Sequence, residues 1–552
     1  MYRQVLDPIA HSLAWSAIIA AIPLLLLVVM LGVLRVTAWI SSLAALAAAL
    51  VVAFAVYPMP VSQGFLAASL GAVSGFFPIL WIVINAIWIY NMTVYTGHFD
   101  VLRRSFSGVS DDQRIQAIII AFCFGALMEA LAGFGTPVAI TAVMLIALGF
   151  TPMRAAVLAL VANTAPVAFG ALATPIVTLS TVSGIDVHTV GSMVGRQTPI
   201  LAVFVPLVLV ALVDGRRGMR QTWPAAVVCG VAFGVAQYVT SNFISVQLSD
   251  IVASLFAAGA VVALLRVWQP RTGAAVATPV TPVPIVAGGS TDVPDEGFER
   301  RVERRDTPRQ IALAYAPYVI IVAIFCVVQL PPIIHQLNKT TQTWSWPGLH
   351  IANAAGKVST LPLFKFNWLT AAGTLMLVAG ILTMLVLRVS PLRSIRLYGQ
   401  TLNQLKWAIL TVMAVLALAF VMNASGETAT LGTWLAHAGK AFAFLSPILG
   451  WLGVAVTGSD TSSNSLFGAL QVSAAHQAGL SPTLMAGSNS SGGVLGKMIS
   501  PQNLAIAASA VGITGKEGDL FRRVVLWSVV FLAGMCVLVY VQSTPVLSWM
   551  VP

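Results

Sequence analysis

Charged side chains make up only 9% of the 552 residues, and that scarcity excludes a soluble globular fold, in which about 25% would be charged. Cysteine is nearly as rare. The four residues Cys123, Cys229, Cys326 and Cys536 each lie in an apolar run and form no C-x-x-C pair, so neither a disulfide framework nor a zinc site is indicated. The seven histidines are scattered, with no in-membrane pair of the kind a haem-binding subunit needs. No Ser/His pair stands within a span, which argues against an intramembrane hydrolase.

Apolar sequence fills the space that charge leaves. Hydrophobic residues reach 58% and the mean hydropathy is +0.90. Leu13 to Leu34 is long enough to cross about 30 Å of hydrocarbon and reads as a permanent helix kinked near Pro23 rather than a cleaved signal. Similar runs recur to the C-terminus, and the chain is expected to be an all-α polytopic membrane protein of about 12–14 transmembrane helices. The net charge of +11 arises from Lys and Arg in short loops. That is a positive-inside pattern and not a nucleic-acid face. Basic loops place Arg35, Arg103 to Arg114, Arg216 to Arg220, the segment 268–309, Arg388 to Arg396 and Lys516 to Arg523 in the cytoplasm. Both termini and the loop Pro331 to Lys365 then lie outside.

This topology gives two halves of opposite orientation. The expected organisation is a first inverted repeat over 1–215, linking helices over 216–267, a cytoplasmic linker over 268–309 and a second inverted repeat over 310–552. The linker is Pro/Ala/Thr/Val-rich and then mixed in charge, reading as an extended stretch followed by a short surface helix.

In matching places, each half is interrupted by helix-breaking sequence. The first break is Glu129-Ala130-Leu131-Ala132-Gly133-Phe134-Gly135-Thr136-Pro137, and Asn163-Thr164-Ala165-Pro166 repeats the device 34 residues after Glu129. The second half has Thr457-Gly458-Ser459-Asp460-Thr461-Ser462-Ser463-Asn464, and then Gly487-Ser488-Asn489-Ser490-Ser491-Gly492-Gly493. Interrupted segments at corresponding places in inverted repeats point to a secondary transporter, and polar breaks at bilayer depth persist where they line a cavity.

Opened helix ends at Gly133, Gly135 and Thr136, and at Ser490 to Gly493, would present unpaired amides suited to a carboxylate. The amides and hydroxyls of Asn163, Thr164, Thr461, Ser462, Asn464 and Asn489 would contact a small ligand. Close packing through the glycines is the plainer alternative. Glu129 and Asp460 are acids deep in these cores, and a buried carboxylate that takes up and releases a proton is what a proton-coupled carrier needs. A static hydrogen bond or a sodium ligand fits them equally. Lys497 is the one lysine of the second core, either a partner for a carboxylate or a snorkelling residue. Arg196 is equally open, and Asn85 reads as a helix–helix hydrogen bond.

At these stretches the chain closely resembles the bacterial L-lactate permease family. The resemblance is carried by Gly133-Phe134-Gly135-Thr136-Pro137-Val138-Ala139-Ile140, Asn163-Thr164-Ala165-Pro166-Val167-Ala168-Phe169-Gly170, Met193-Val194-Gly195-Arg196-Gln197, Thr457 to Asn464 and Gly496-Lys497-Met498-Ile499-Ser500-Pro501-Gln502. It implies uptake of L-lactate, and also D-lactate or glycolate, together with protons across the bacterial inner membrane, by an elevator-like movement and without a cofactor. A homo-oligomer is compatible with this reading. The family motif commonly has Ala where this chain has Thr136. A sodium-coupled carrier of other small carboxylates is the nearest alternative, and an anion channel the next.

Overall fold

A computed structural model describes all residues except 35, 108, 111, 132, 134, 271–305, 329, 355, 360 and 514. Most of the 268–309 linker, including its expected surface helix, lies outside the described residues, as do Arg35, Ala132 and Phe134. The chain is an all-α multi-pass membrane protein. Among the described residues, ten helices are long and apolar enough to span, or eleven if the bent pair Pro152–Ala162 and Val167–Ser183 counts as one. This falls below the expected 12–14. Helices such as Thr136–Ala147 and Ala372–Val386 are apolar but short, and Val187–Ile244 counts once although its backbone breaks at Asp214 and Gly215.

The core contains the same order of elements twice. In the first half, Gln113–Leu131 is followed by a break, helix Thr136–Ala147, a turn, helix Pro152–Ala162, a second break and the helix ending at Ser183. In the second half, Phe442–Thr457 is followed by a break, Asp460–Ala478, a turn, Pro482–Gly496, a second break and Pro501–Ala510. The two turns use the same chemistry. Gly149 and Gly479 take the left-handed conformation, Thr151 and Ser481 stand at the N-cap, and Pro152 and Pro482 start the next helix.

Around this core stand long apolar helices. Val61–Tyr95 and Pro391–Ser425 pack together, and Ala38–Ala55 lies against the latter. Asn85 Nδ2 donates to Trp81 O and, across to the next helix, to Gly373 O at 3.1 Å, the helix–helix role expected of it. The segment Tyr2–Arg3 pairs in parallel with Ile351–Ala352, so the N-terminus and the 331–365 loop share one face, as the charge pattern predicts. On the expected cytoplasmic side, Arg104 grips Asp306 in a bidentate pair at 2.8 and 2.9 Å, which holds that carboxyl below the ordinary carboxylate range. Arg196 donates to Asn242 Oδ1 and Met550 O, a structural tie to the C-terminus.

Candidate functional site

Three of the four breaks come together around Glu129, which is 3% exposed. The first break is made by Gly133 (φ +51°) and Gly135 (φ +82°), after which Thr136 and Pro137 start the next helix. Thr136 is half-buried and its N–H donates to Gly133 O at 3.0 Å. The second break runs from Asn163 to Ala173. Here Ala171, Leu172 and Ala173 are all left-handed, with φ of 44°, 55° and 58°. An L-residue in this region costs about 1–2 kcal/mol, and such strain is concentrated at functional sites.

These two breaks touch each other. A Cβ on Gly133 would lie 3.4 Å from that of Ala171, and a Cβ on Gly170 would lie 2.8 Å from Glu129 Oε1. The third break, Lys497–Ile499, lies between Pro482–Gly496 and Pro501–Ala510 and brings Lys497 Nζ to Glu129 Oε1 at 2.5 Å. Lys497 is therefore a buried ion-pair partner that joins the two halves, not a snorkelling residue. Among the described residues, Glu129 Oε2 has no hydrogen-bond partner, and neither has the Nδ2 or Oδ1 of Asn163.

The fourth break, at Gly458 (φ +74°) and Ser459, sets Asp460 in the first turn of its helix. Asp460 Oδ2 accepts from Ser490 Oγ at 2.5 Å and from Asn464 Nδ2 at 3.3 Å, while Oδ1 is unpartnered. Asn464 Nδ2 also donates to Pro175 O at 3.1 Å, a second tie between the halves. Asn489 Nδ2 donates to Asn464 Oδ1 at 2.9 Å, and Gln471 Nε2 donates to Asn489 Oδ1 at 3.2 Å. The network continues through Ser446, whose hydroxyl donates to Gln471 Oε1 at 2.7 Å and contacts that of Ser488. Lys497 also acts electrostatically on Asp460, so the two clusters share one charge environment.

One expectation is overturned. Ser490 to Gly493 is not an opened helix end but lies inside the continuous helix Pro482–Gly496. Its glycines allow close approach instead. A Cβ on Gly492 would strike Pro447 O and one on Gly496 would strike Trp451 O, while Gly450 on the facing helix abuts Asn489 O. Of two other expected ligand groups, one is engaged locally. The Thr164 hydroxyl donates to Val161 O at 2.7 Å, whereas among the described residues only the backbone carbonyl of Thr461 is bonded, accepting from Ser465 Oγ at 2.8 Å. Thr461 and Ser462 stand at the N-terminus of helix Asp460–Ala478, close in sequence to the acid but outside the hydrogen bonds that hold it.

A cavity of about 1270 Å³ opens at the face that carries the N-terminus, lined in part by helices Gly170–Ser183 and Asp460–Ala478, which adjoin two of the breaks. At about 30 Å³ per water it has room for roughly 40 molecules, so it is a vestibule rather than a fitted pocket. Phe77, Ile82 and Phe420 form one wall, and Val177, Ala469 and Ser473 form the other. Val177 is two residues beyond Pro175, which places the Asn464 tie just below the vestibule.

The glycines beside the two acids give a direct test of this geometry. Gly170→Ala would crowd Glu129, and Gly493→Ala would drive its methyl into Asp460 Oδ1. Each is expected to lower transport at least tenfold in an uptake assay. Gly259→Ala, with nothing within 4 Å, is the control expected to leave it unchanged.

The family model described as L-lactate permease matches residues 16–546. The L-lactate permease of Salmonella typhimurium is 40% identical over 570 residues, covering 100% of both chains. Glycolate permease GlcA of Escherichia coli K12 is 41% identical over 544 residues, 96% of each chain. The Bacillus subtilis L-lactate permease is 38% identical over 571 residues, again covering both chains in full. With both halves, all four breaks and the Lys497–Glu129 pair inside the matched region, the chain belongs to the L-lactate permease family.

Proposed function

We propose that this chain takes up L-lactate, and also glycolate or D-lactate, with protons, and that the Lys497–Glu129 pair is where proton and anion are exchanged. Family membership makes it a multi-pass transporter of the inner membrane. The observation that carries the finer reading is a buried cation bonded to a carboxylate 368 residues away, one oxygen of which has no partner among the described residues.

A proton from the vestibule adds to Glu129 and cancels its charge, which releases Lys497. The substrate carboxylate then takes the place of Glu129 at Lys497 Nζ. Asn163 lies in the same break as Gly170, which touches Glu129, and its free amide would meet the 2-hydroxyl. Gly133, Gly135 and Thr136 shape the adjoining wall. Asp460, held by Ser490 and Asn464, supports the second half of the site and is the alternative carrier of that one proton. The loaded site is then electrically no different from the empty one. That matters because an anion entering alone works against about 2.3 kcal/mol per charge per 100 mV. In this reading the two interrupted cores, tied at Lys497–Glu129 and Asn464–Pro175, move as one body against the surrounding helices of the two repeats.

The test is uptake of labelled L-lactate into proteoliposomes under an inward pH gradient, with and without sodium. Uptake should collapse when the gradient is dissipated and ignore sodium. Uptake that follows sodium instead would recast Asp460 as a cation ligand. Counterflow separates a carrier from a channel, because only a carrier speeds labelled entry when unlabelled substrate is preloaded.

A further inference from the structure

Asp250 is an acid that the cycle above leaves unused. It stands in the first turn of helix Ser249–Val267 and is fully buried. Its Oδ1 accepts from Gln237 Nε2 at 2.7 Å, while Oδ2 has no partner among the described residues. Among the described residues, no Lys, Arg or His forms an ion pair with it.

The elements packed around it supply no countercharge. Gly125–Leu131 brings Glu129, which acts on Asp250 electrostatically and has the same sign. Ala117–Phe124 brings only Cys123, turned to Cys229, and Gly170–Ser183 brings no titratable group. The charges of Val205–Val239 end at Arg220, 17 residues before Gln237, roughly 25 Å along the helix. A carboxylate kept dry with only an amide for company is held at least cost as the neutral acid.

Its position gives that proton a route and a reader. Val246 and Gln247 line the vestibule, and Asp250 lies about one turn further in. On its other side, Gln237 Nε2 also reaches Ala165 O at 3.5 Å, and Gln237 Oε1 accepts from Thr198 Oγ1 at 3.4 Å. Ala165 belongs to the break that carries the unpartnered Asn163. Thr164, Ala165 and Thr198 also line a cavity of about 10 Å³, close to the room one water needs.

We propose that Asp250 is a second proton-carrying residue, loaded from the vestibule and sensed at the 163–169 break through Gln237, so that two protons accompany each substrate anion. The inference rests on the proton-coupled reading above. The proton adds to Oδ2 from outer water and leaves to inner water after the core has moved; no bond is oxidised or reduced.

Two protons and one monoanion move one net positive charge, so a membrane potential alone should drive accumulation. In proteoliposomes with no pH gradient and a potassium-diffusion potential, wild-type L-lactate accumulation should rise tenfold for about 59 mV, inside negative. Asp250→Asn and Asp250→Ser should flatten that response while pH-driven accumulation and counterflow remain measurable. Asp250→Glu should restore it. A flat wild-type response overturns the proposal whatever the variants do, as does a tenfold slope retained by either Asn or Ser. Absence of any pH-driven accumulation in the wild type is a different outcome, and it removes the proton-coupled reading itself.

Discussion

Replacing Lys497 by methionine should lower uptake and counterflow of L-lactate at least 100-fold. Two effects combine. The substrate carboxylate loses its cation, and Glu129 is left as a buried charge without its ion-pair partner. Removing one member of a buried pair costs about 3–5 kcal/mol, so a thermal-stability assay should show a large drop. Glu129→Gln added to Lys497→Met removes the orphaned charge, and the double variant should regain most of that stability and none of the transport. If stability returns together with uptake, Lys497 serves only to neutralise Glu129, and the site for the anion lies elsewhere.

Glu129→Gln alone should separate accumulation from exchange. Glutamine keeps the shape of the protonated acid, so Lys497 remains free to meet the substrate. Counterflow should remain measurable, while the slope of accumulation against an inward pH gradient should fall by one proton per substrate, leaving only the proton assigned to Asp250. Without its carboxylate, Lys497 is the uncompensated charge, and bound L-lactate replaces the missing partner. The rise in melting temperature on adding L-lactate should therefore be larger than in the wild type. A variant that keeps the full wild-type slope would move the Glu129 proton to Asp460.

The sequence made three of the four breaks and both buried acids legible because each leaves a local mark, namely glycine, proline or a polar residue inside an apolar run. Lys497 was equally visible, but its partner was not, since the two residues are 368 positions apart and meet only once the halves fold together. The left-handed run Ala171 to Ala173 has no signature at all. Alanine and leucine are not residues that seek that conformation, and only the surrounding packing holds them there. The glycines after Ser490 misled for the opposite reason, because the same residue serves an opened backbone and a close helix contact. Asp250 went unweighed because it stands at the edge of a span, where an acid is ordinary; its complete burial is a property of the fold.

The glycine contacts between Phe442–Thr457 and Pro482–Gly496 have a mechanical consequence. Gly450, Gly492 and Gly496 are spaced along the seam and bring backbone directly against backbone, with no side chain between to act as a cushion. A surface of that kind resists sliding, because a shift of a fraction of a turn would put a carbonyl where a Cα now sits. The pair therefore behaves as a stiff beam hinged only at its ends. A core that moves as one body therefore carries Asp460, just past Gly458, and Lys497 with their spacing unchanged.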